Sequence, residues 1–367
     1  MAVDMERVTD VLKEALLRNL GDEVDVIFRY GSLLKGAAHR YSDMDISYVP
    51  VHEETWHSIT VMVGDVLCDL YPIHWSALEH MADFSNVSSS VLLKYQIVYA
   101  RTDEARARFE ALPVRLQACQ QPKAHLEMLR RAQELFQSTG YPYYLLHQAA
   151  AQGHVLACMQ QAQAIFRTVL HCLMVCNQMP IDTRKLPQVL ALPRLPHDFP
   201  DTVERMIQAH TPGEMLDACE TLLSTTRALL LDEQRQIQRP ATFPDVFRAA
   251  YPELKADLQH ILLACEQRDL SKLSIVSFYH ELMIHIAWAI SGVPYSGFNS
   301  IAEYEQDLAV LGFPDLLPYV LARDFDSLHR QCLAFDQRLR EFLTERGVVL
   351  NTFDDVEALQ QHLASKG

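Results

Sequence analysis

The sequence predicts a small α/β unit with a mixed sheet, followed by one or two all-α bundles. Three observations carry this expectation. Short apolar runs with period-two alternation crowd the first hundred residues, separated by helical stretches. Beyond Pro113 apolar residues recur at helical spacing over much longer segments. Proline-rich connectors at 187–200 and 240–252 then cut the helical part in two. The expected domains are residues 1–112, the α/β unit; 113–239, a first helical bundle; and 240–367, a second.

Residues 5–19 (MERVTDVLKEALLRN) read as a helix ending near Gly21. The β-like runs 25–29 (DVIFR), 45–49 (DISYV), 66–71 (VLCDLY) and 96–100 (QIVYA) follow. Between the second and third, 53–64 reads as a helix ended by Gly64. Residues 145–176, rich in Ala and Gln, read as largely one helix despite Gly153. The two bundles resemble each other. Residues 166–180 and 279–294 are each an apolar helix running to a proline, each followed by a Leu-Pro segment (192–196, 311–314). Each then has a helix with an internal cysteine, Cys219 or Cys332. A duplicated module is one reading of this; chance likeness between amphipathic helices is the other.

Asp and Glu outnumber Lys and Arg by 47 to 32, for a formal charge of −15, and no run of five basic residues occurs. That excludes duplex nucleic acid as the expected partner, since phosphate neutralisation needs a concentrated positive surface. No apolar run reaches the length of a membrane span, so no membrane partner is expected. The start Met-Ala-Val-Asp has no basic stretch leading into an apolar core. The eight cysteines include no Cys-x-x-Cys pair, and most sit in apolar helical patterns, as reduced core thiols do. Together these features predict a cytoplasmic protein.

The stretch YGSLLKGAAHRYSDMDISYV, residues 30–49, sets its turn residues and its acids in an unusual order. After the run DVIFR, Gly31 lets the backbone pass close to a ligand. Ser32 stands where it would cap a short helix over 33–38, whose free amides, dipole and cap hydroxyl make a phosphate cradle. Lys35, one turn in, adds a positive charge there or is simply solvated. Asp43 and Asp45 alternate with Met44 and Ile46, so period two puts both carboxylates on one strand face. Side by side they repel unless a cation lies between them, and hard oxygen ligands of this kind suit magnesium bound together with nucleotide phosphates. Asp69, amid the apolar run VLCDLY, is costly as a lone buried charge. It is either a third acid for the same site or an edge-strand acid facing solvent.

Gly31-Ser32, then ten residues, Asp43-x-Asp45 and finally Asp69 resembles the polymerase-β-type nucleotidyltransferase superfamily. Within it the chain is most similar to the bacterial antibiotic nucleotidyltransferases, such as the aminoglycoside adenylyltransferases, which join such a domain to a helical one. The motif-bearing likeness covers about residues 20–105. The segment 177–207, with Arg184-Lys185-Leu186 and Leu195-Pro196, is similar to the helical part of those enzymes, and the second bundle exceeds their usual length. The resemblance implies in-line transfer of a nucleoside monophosphate, with two Mg2+ ions held by Asp43 and Asp45 and the β,γ-phosphates by Gly31 and Ser32. It implies that Asp69 either ligates the metal near the nucleophile or takes the nucleophile's proton. ATP or another nucleoside triphosphate is then the co-substrate. A small hydroxylated molecule is the acceptor, held between the α/β unit and the first bundle. An aminoglycoside would be drawn in by the acidic surface, which would make the role antibiotic resistance.

Other residues have two readings each. Arg29 touches a phosphate or pairs with an acid. Lys94 and Tyr95 approach the nucleotide or are structural. Some relatives take a base from the helical domain, where Glu127 and Glu134 are candidates, but acids on amphipathic helices are usually solvated. His280 and His285 are five apart and do not share a helix face as zinc-protease histidines do. The gap from Arg167 to His171 is too short for the Arg…His pair of helical RNases. Cys172 and Cys176 read as core. Tyr141, Tyr143 and Tyr144 line a pocket or pack between domains. Two other functions stay open: an adenylyltransferase acting on a protein or another metabolite, and a nucleotide-sensing or antitoxin-like protein without turnover. Retention of all three acids speaks for the enzyme. A duplicated helical module would suit a homo-oligomer.

Overall fold

The computed structural model describes residues 4–31, 34, 42–237, 242–248, 250–269, 275–291, 308 and 310–364. Helix α1 (Met5–Leu20) begins where the Asp4 carboxylate accepts from Arg7 N at 3.2 Å, a side-chain N-cap. Its Thr9, Leu12 and Leu16 share one buried side. They cover one face of a sheet with five strands among the described residues: β1 (Val24–Arg29), β2 (Met44–Pro50), β3 (Ile59–Val63), β4 (Val66–Pro72) and β5 (Gln96–Ala100). The spatial order is β3-β4-β2-β1-β5. β2 and β4 are parallel and the other pairs antiparallel, so the sheet is mixed. Val24, Ile27, Met44, Ile46, Tyr48, Cys68 and Leu70 form the core under α1.

The opposite face packs on α2 (Trp75–Ala82) and α3 (Asp103–Cys119). Phe109 of α3 lies 4.7 Å from Phe28, 5.1 Å from Tyr95 and 6.4 Å from Trp75, ring centre to ring centre.

The helix expected over 53–64 does not form: 53–58 are turn and irregular chain, and 59–63 are strand β3. Ile59, Val61 and Val63 are β-branched, and Gly64-Asp65 makes a two-residue turn that pairs Val63 with Val66. The helix expected over 145–176 is two, α5 (Gly140–Ala151) and α6 (Val155–Cys176). The chain turns at Gly153, φ +71°, and the Gly153 and His154 amides donate to Ala150 O and Ala149 O at 3.0 and 2.9 Å.

The chain divides into two compact units, Met1–Glu233 and Gln234–Gly367. In the first, α4 (His125–Gln137), α5, α6, α7 (Leu186–Leu190), α8 (Phe199–Gln208) and all but the last four residues of α9 (Pro212–Ile237) follow the sheet. Leu146, Ile165, Val169, Leu173, Val189, Phe199, Val203 and Leu222 form their core. Polar contacts tie this region to the segments after α2 and α3. His171 Nε2 is 2.9 Å from Phe84 O. Arg131 Nη1 donates to Asp83 O at 2.6 Å and Gln178 Nε2 to Cys119 O at 2.6 Å.

The second unit centres on α11 (Ala250–Gln267), α12 (Ile275–Ser291) and α14 (Phe325–Thr344), with α10 (Phe243–Val246), α13 (Leu317–Leu321) and α15 (Val356–Ala364) around them. Leu258, Ile261, Phe278, Leu282, Phe335 and Leu339 meet in its core. Asp336, buried there, accepts from Tyr251 Oη at 3.0 Å and Lys255 Nζ at 2.5 Å. All eight cysteines are free thiols, and Cys172 and Cys176 are buried. His285 is spent on Glu281 O at 2.8 Å and on the Phe247 ring; the His280 side chain lies outside the described residues. Among the described residues no helix is long and apolar enough to cross a membrane.

Candidate functional site

Tyr30 N donates to Asp45 O at 3.2 Å, one step beyond the Arg29–Ile46 pair, so the β1–β2 ladder continues up to the turn. Gly31 follows at φ +90°. A Cβ built there would stand 1.9 Å from Asp45 Oδ2 and 2.8 Å from Asp45 Cγ. Only glycine lets this backbone lie against the carboxylate. Ser32, Lys35 and most of the short helix expected around them lie outside the described residues.

Asp69 sits directly beside Asp45. The parallel register pairs the two, which puts both side chains on one face, on strands about 4.8 Å apart. Thr60 of β3 pairs with Asp69 in turn, and its hydroxyl donates to Asp69 Oδ1 at 2.7 Å. A polar row therefore crosses four strands, Thr60, Asp69, Asp45 and Tyr30, on the face turned away from α1. Asp43 lies just ahead of β2 and is exposed.

Two neighbouring carboxylates supply the hard oxygens that magnesium shares with nucleotide phosphates, so the pair fits that group. Among the described residues no three His, Cys, Asp or Glu side chains gather closely enough to hold a metal by themselves. Phosphate oxygens and water would complete the coordination, as is usual for this ion.

A second row lies next to the acids. Ser47 pairs with Tyr71 in the register that pairs Asp45 with Asp69. The Tyr30 hydroxyl meets the Tyr71 hydroxyl and lies 3.4 Å from Ser47 Oγ. The sequence reading missed these hydroxyls. The signal was present: Ser47 and Tyr71 each stand two residues beyond an acid, hence on its face.

Arg184, between α6 and α7, was read only as part of a similar segment, without a role. Its Nε and Nη2 grip Asp182 at 2.9 and 3.2 Å. Asp182 is the first cause of its raised pKa, and Asp45 and Asp43 add to it through space. A cation of the helical region thus lies within electrostatic reach of the acids, although its side chain is 89% exposed and screened by water.

Arg29 takes the structural of its two readings. Its register partner Ile46 faces α1, and so does its guanidinium, which donates to Thr9 Oγ1 at 2.9 Å, Glu6 Oε1 at 2.7 Å and Gln96 Oε1 at 2.6 Å. It points away from the acid row. Tyr95 meets Phe109 edge to face, and Lys94 is exposed. Glu127 pairs with Arg131 at 3.1 Å, and Glu134 is exposed. Tyr143 donates to Glu220 Oε1 at 2.8 Å, while Tyr141 and Tyr144 are exposed. An apolar cavity of about 590 Å³, with Met159, Phe166, Val203 and Met206 in its wall, has no acid in its lining and is separate from the carboxylate row.

No protein-family model matches the chain, and no curated protein matches it at a significant level. Among solved structures, one match is a nucleotidyltransferase-like protein from Exiguobacterium sibiricum 255-15. It is 14% identical, with a TM-score of 0.36, over 76% of this chain and 92% of that one. A superposition that loose transfers no residue roles.

Proposed function

We propose that the chain is a magnesium-dependent nucleotidyltransferase that moves a nucleoside monophosphate, AMP from ATP, onto a hydroxyl of a small molecule such as an aminoglycoside. One observation carries the reading: the Gly31 backbone is pressed against Asp45, and Asp69 stands in register beside it. That is the juxtaposition a triphosphate and its metal require, a turn without side chains next to paired carboxylates.

In the proposed reaction the acceptor oxygen attacks the α-phosphorus. A new P–O bond forms there, the bond to the bridging oxygen breaks, and pyrophosphate leaves with that electron pair. The hydroxyl proton goes to a carboxylate. Asp69 suits this role, because the Thr60 hydroxyl donates to Oδ1 and steadies the carboxylate beside Asp45. Mg2+ bound by the acids together with the nucleotide would neutralise the charge that develops on the phosphoryl group. Asp43 and Asp45 would hold that ion against the phosphates, and the Gly31 turn brings backbone alongside them.

A second reading, nucleotide binding without turnover, is favoured by the exposed position of Asp43, ahead of β2 and outside the Asp45–Asp69 register pair. Pyrophosphate release with Mg2+, ATP and a panel of aminoglycosides separates the two. Turnover that falls at least about a hundredfold in Asp45→Asn supports the enzyme. Nucleotide binding with no turnover on any acceptor overturns it.

A further inference from the structure

Three hydroxyls lie beside the two carboxylates and take no part in the reaction just described. Tyr30 reaches from β1 across Ser47 of β2 to Tyr71 of β4. Ser47 is fully buried, Tyr30 is 8% exposed, and Tyr71 is half-buried. The three form a relay with one closed end and one open end. They own three hydrogens, of which two are spent inside the relay.

The polarity of the relay follows from where the third hydrogen goes. If Tyr71 donates inward, the spare hydrogen falls on Ser47 or, where Tyr30 accepts from both neighbours, on Tyr30; both are buried, and neither has a further side-chain partner among the described residues. A buried donor without an acceptor is costly. If Ser47 donates to Tyr30 and Tyr30 to Tyr71, the spare hydrogen falls on the Tyr71 hydroxyl at the open end, on the face that carries Asp69. This second arrangement leaves no orphan. Burial, with Tyr71 and Asp45 acting in the same direction, raises the Tyr30 pKa far above that of an ordinary phenol, so the middle hydroxyl keeps its proton at any working pH.

We propose that Tyr71 is a nucleotide-binding residue, its hydroxyl donating to a non-bridging phosphate oxygen, and that Tyr30 and Ser47 hold it in the donating direction. The proposal rests on the nucleotidyltransferase reading above. An outward hydrogen calls for an acceptor, and anionic phosphate oxygens are the strongest acceptors such a site would receive. A cationic amine would seek the carboxylates and gain nothing from a donor. The relay also joins the Gly31 turn, through its neighbour Tyr30, to the strand that carries Asp69.

The test is calorimetric titration of the full chain with α,β-methylene-ATP and Mg2+, followed by 31P spectra of the bound nucleotide. Tyr71→Phe keeps the ring and should weaken binding about tenfold or more while leaving the thermal midpoint within about 2 °C of wild type. It should also shift a bound phosphate resonance. Tyr30→Phe leaves the Tyr71 hydroxyl in place but unsteered, and should weaken binding by a smaller factor in the same direction. Wild-type affinity in Tyr71→Phe, alongside weakened binding in Asp45→Asn, overturns the Tyr71 assignment alone. Weaker binding with unshifted phosphate resonances also overturns it, as that marks a structural loss. Wild-type affinity in Asp45→Asn instead removes the reading beneath it.

Discussion

Replacing Gly31 with alanine is the sharpest test of the site because two separable penalties meet there. The first is conformational. A side chain at φ +90° is strained, at about 1–3 kcal/mol. In a unit of this size each kcal/mol lowers the thermal midpoint by roughly 2–4 °C. The second is steric and local. The new Cβ would stand 1.9 Å from Asp45 Oδ2, whereas ordinary contact begins at 3.4 Å, so carboxylate and turn must part by about 1.5 Å. Misplacing a reacting group by about 1 Å can cost a hundredfold in rate, so Gly31→Ala should lose about that factor in pyrophosphate release. Gly153→Ala supplies the control. Gly153 has φ +71° with nothing within 4 Å of a built Cβ, so it carries strain without collision. It should lose a few degrees of thermal midpoint and no activity. If Gly31→Ala keeps its turnover and nucleotide affinity within about twofold of the Gly153→Ala protein, Asp45 does not form the site with this turn and the reasoning fails.

Two further outcomes follow from the same geometry. Arg29→Ala strips three hydrogen bonds from a guanidinium whose side chain is 9% exposed, and should destabilise the first unit by about 2–3 kcal/mol in denaturant titration. Its affinity for α,β-methylene-ATP should not change; a selective loss of affinity would return Arg29 to the phosphate side. The second outcome concerns pH. His171 is held below the ordinary 6.5 by burial, against the opposing pull of the Phe84 carbonyl. His125 is lowered by burial and then by Arg194, against Glu233. The unfolded chain therefore binds protons first as pH falls, so this stability is complete above about pH 6.5 and declines below it. Thermal midpoints should drop between pH 7 and 5.5, and the drop should flatten in His171→Gln; an identical curve in that variant would remove His171 from the account.

Much of the fold was legible because its signals are local. Alternation marks β1, β2, β4 and β5, whereas the Asp-x-Asp spacing overreached: Asp43 falls ahead of β2, and the acid in register with Asp45 is Asp69. The failures arose where a local signal was ambiguous or the deciding contact was distant. Residues 59–63 are a short apolar run, which periodicity alone does not assign to strand or helix, and Gly64 served as a hairpin turn instead of a helix end. Gly153 looked tolerable inside a helix but divides α5 from α6. The pairing of Asp45 with Asp69 joins strands 24 residues apart in sequence, and no local pattern encodes that register.

The end of β1 shows why register matters most at this site. Arg29, Tyr30 and Gly31 are consecutive, and strand parity sends their side chains to alternate faces. Arg29 turns toward α1 and is clamped by Glu6 and Thr9. Tyr30 turns the other way and closes the hydroxyl relay. Gly31 then has no side chain where one would strike Asp45. A slip of β1 by one residue would bring a guanidinium onto the acid row, send Tyr30 into the α1 core, and move the glycine off the only place where its bare backbone matters. The Arg29 clamp faces away from the acid row, yet it opposes that slip. Its contribution to the site is the register of the strand that carries the turn.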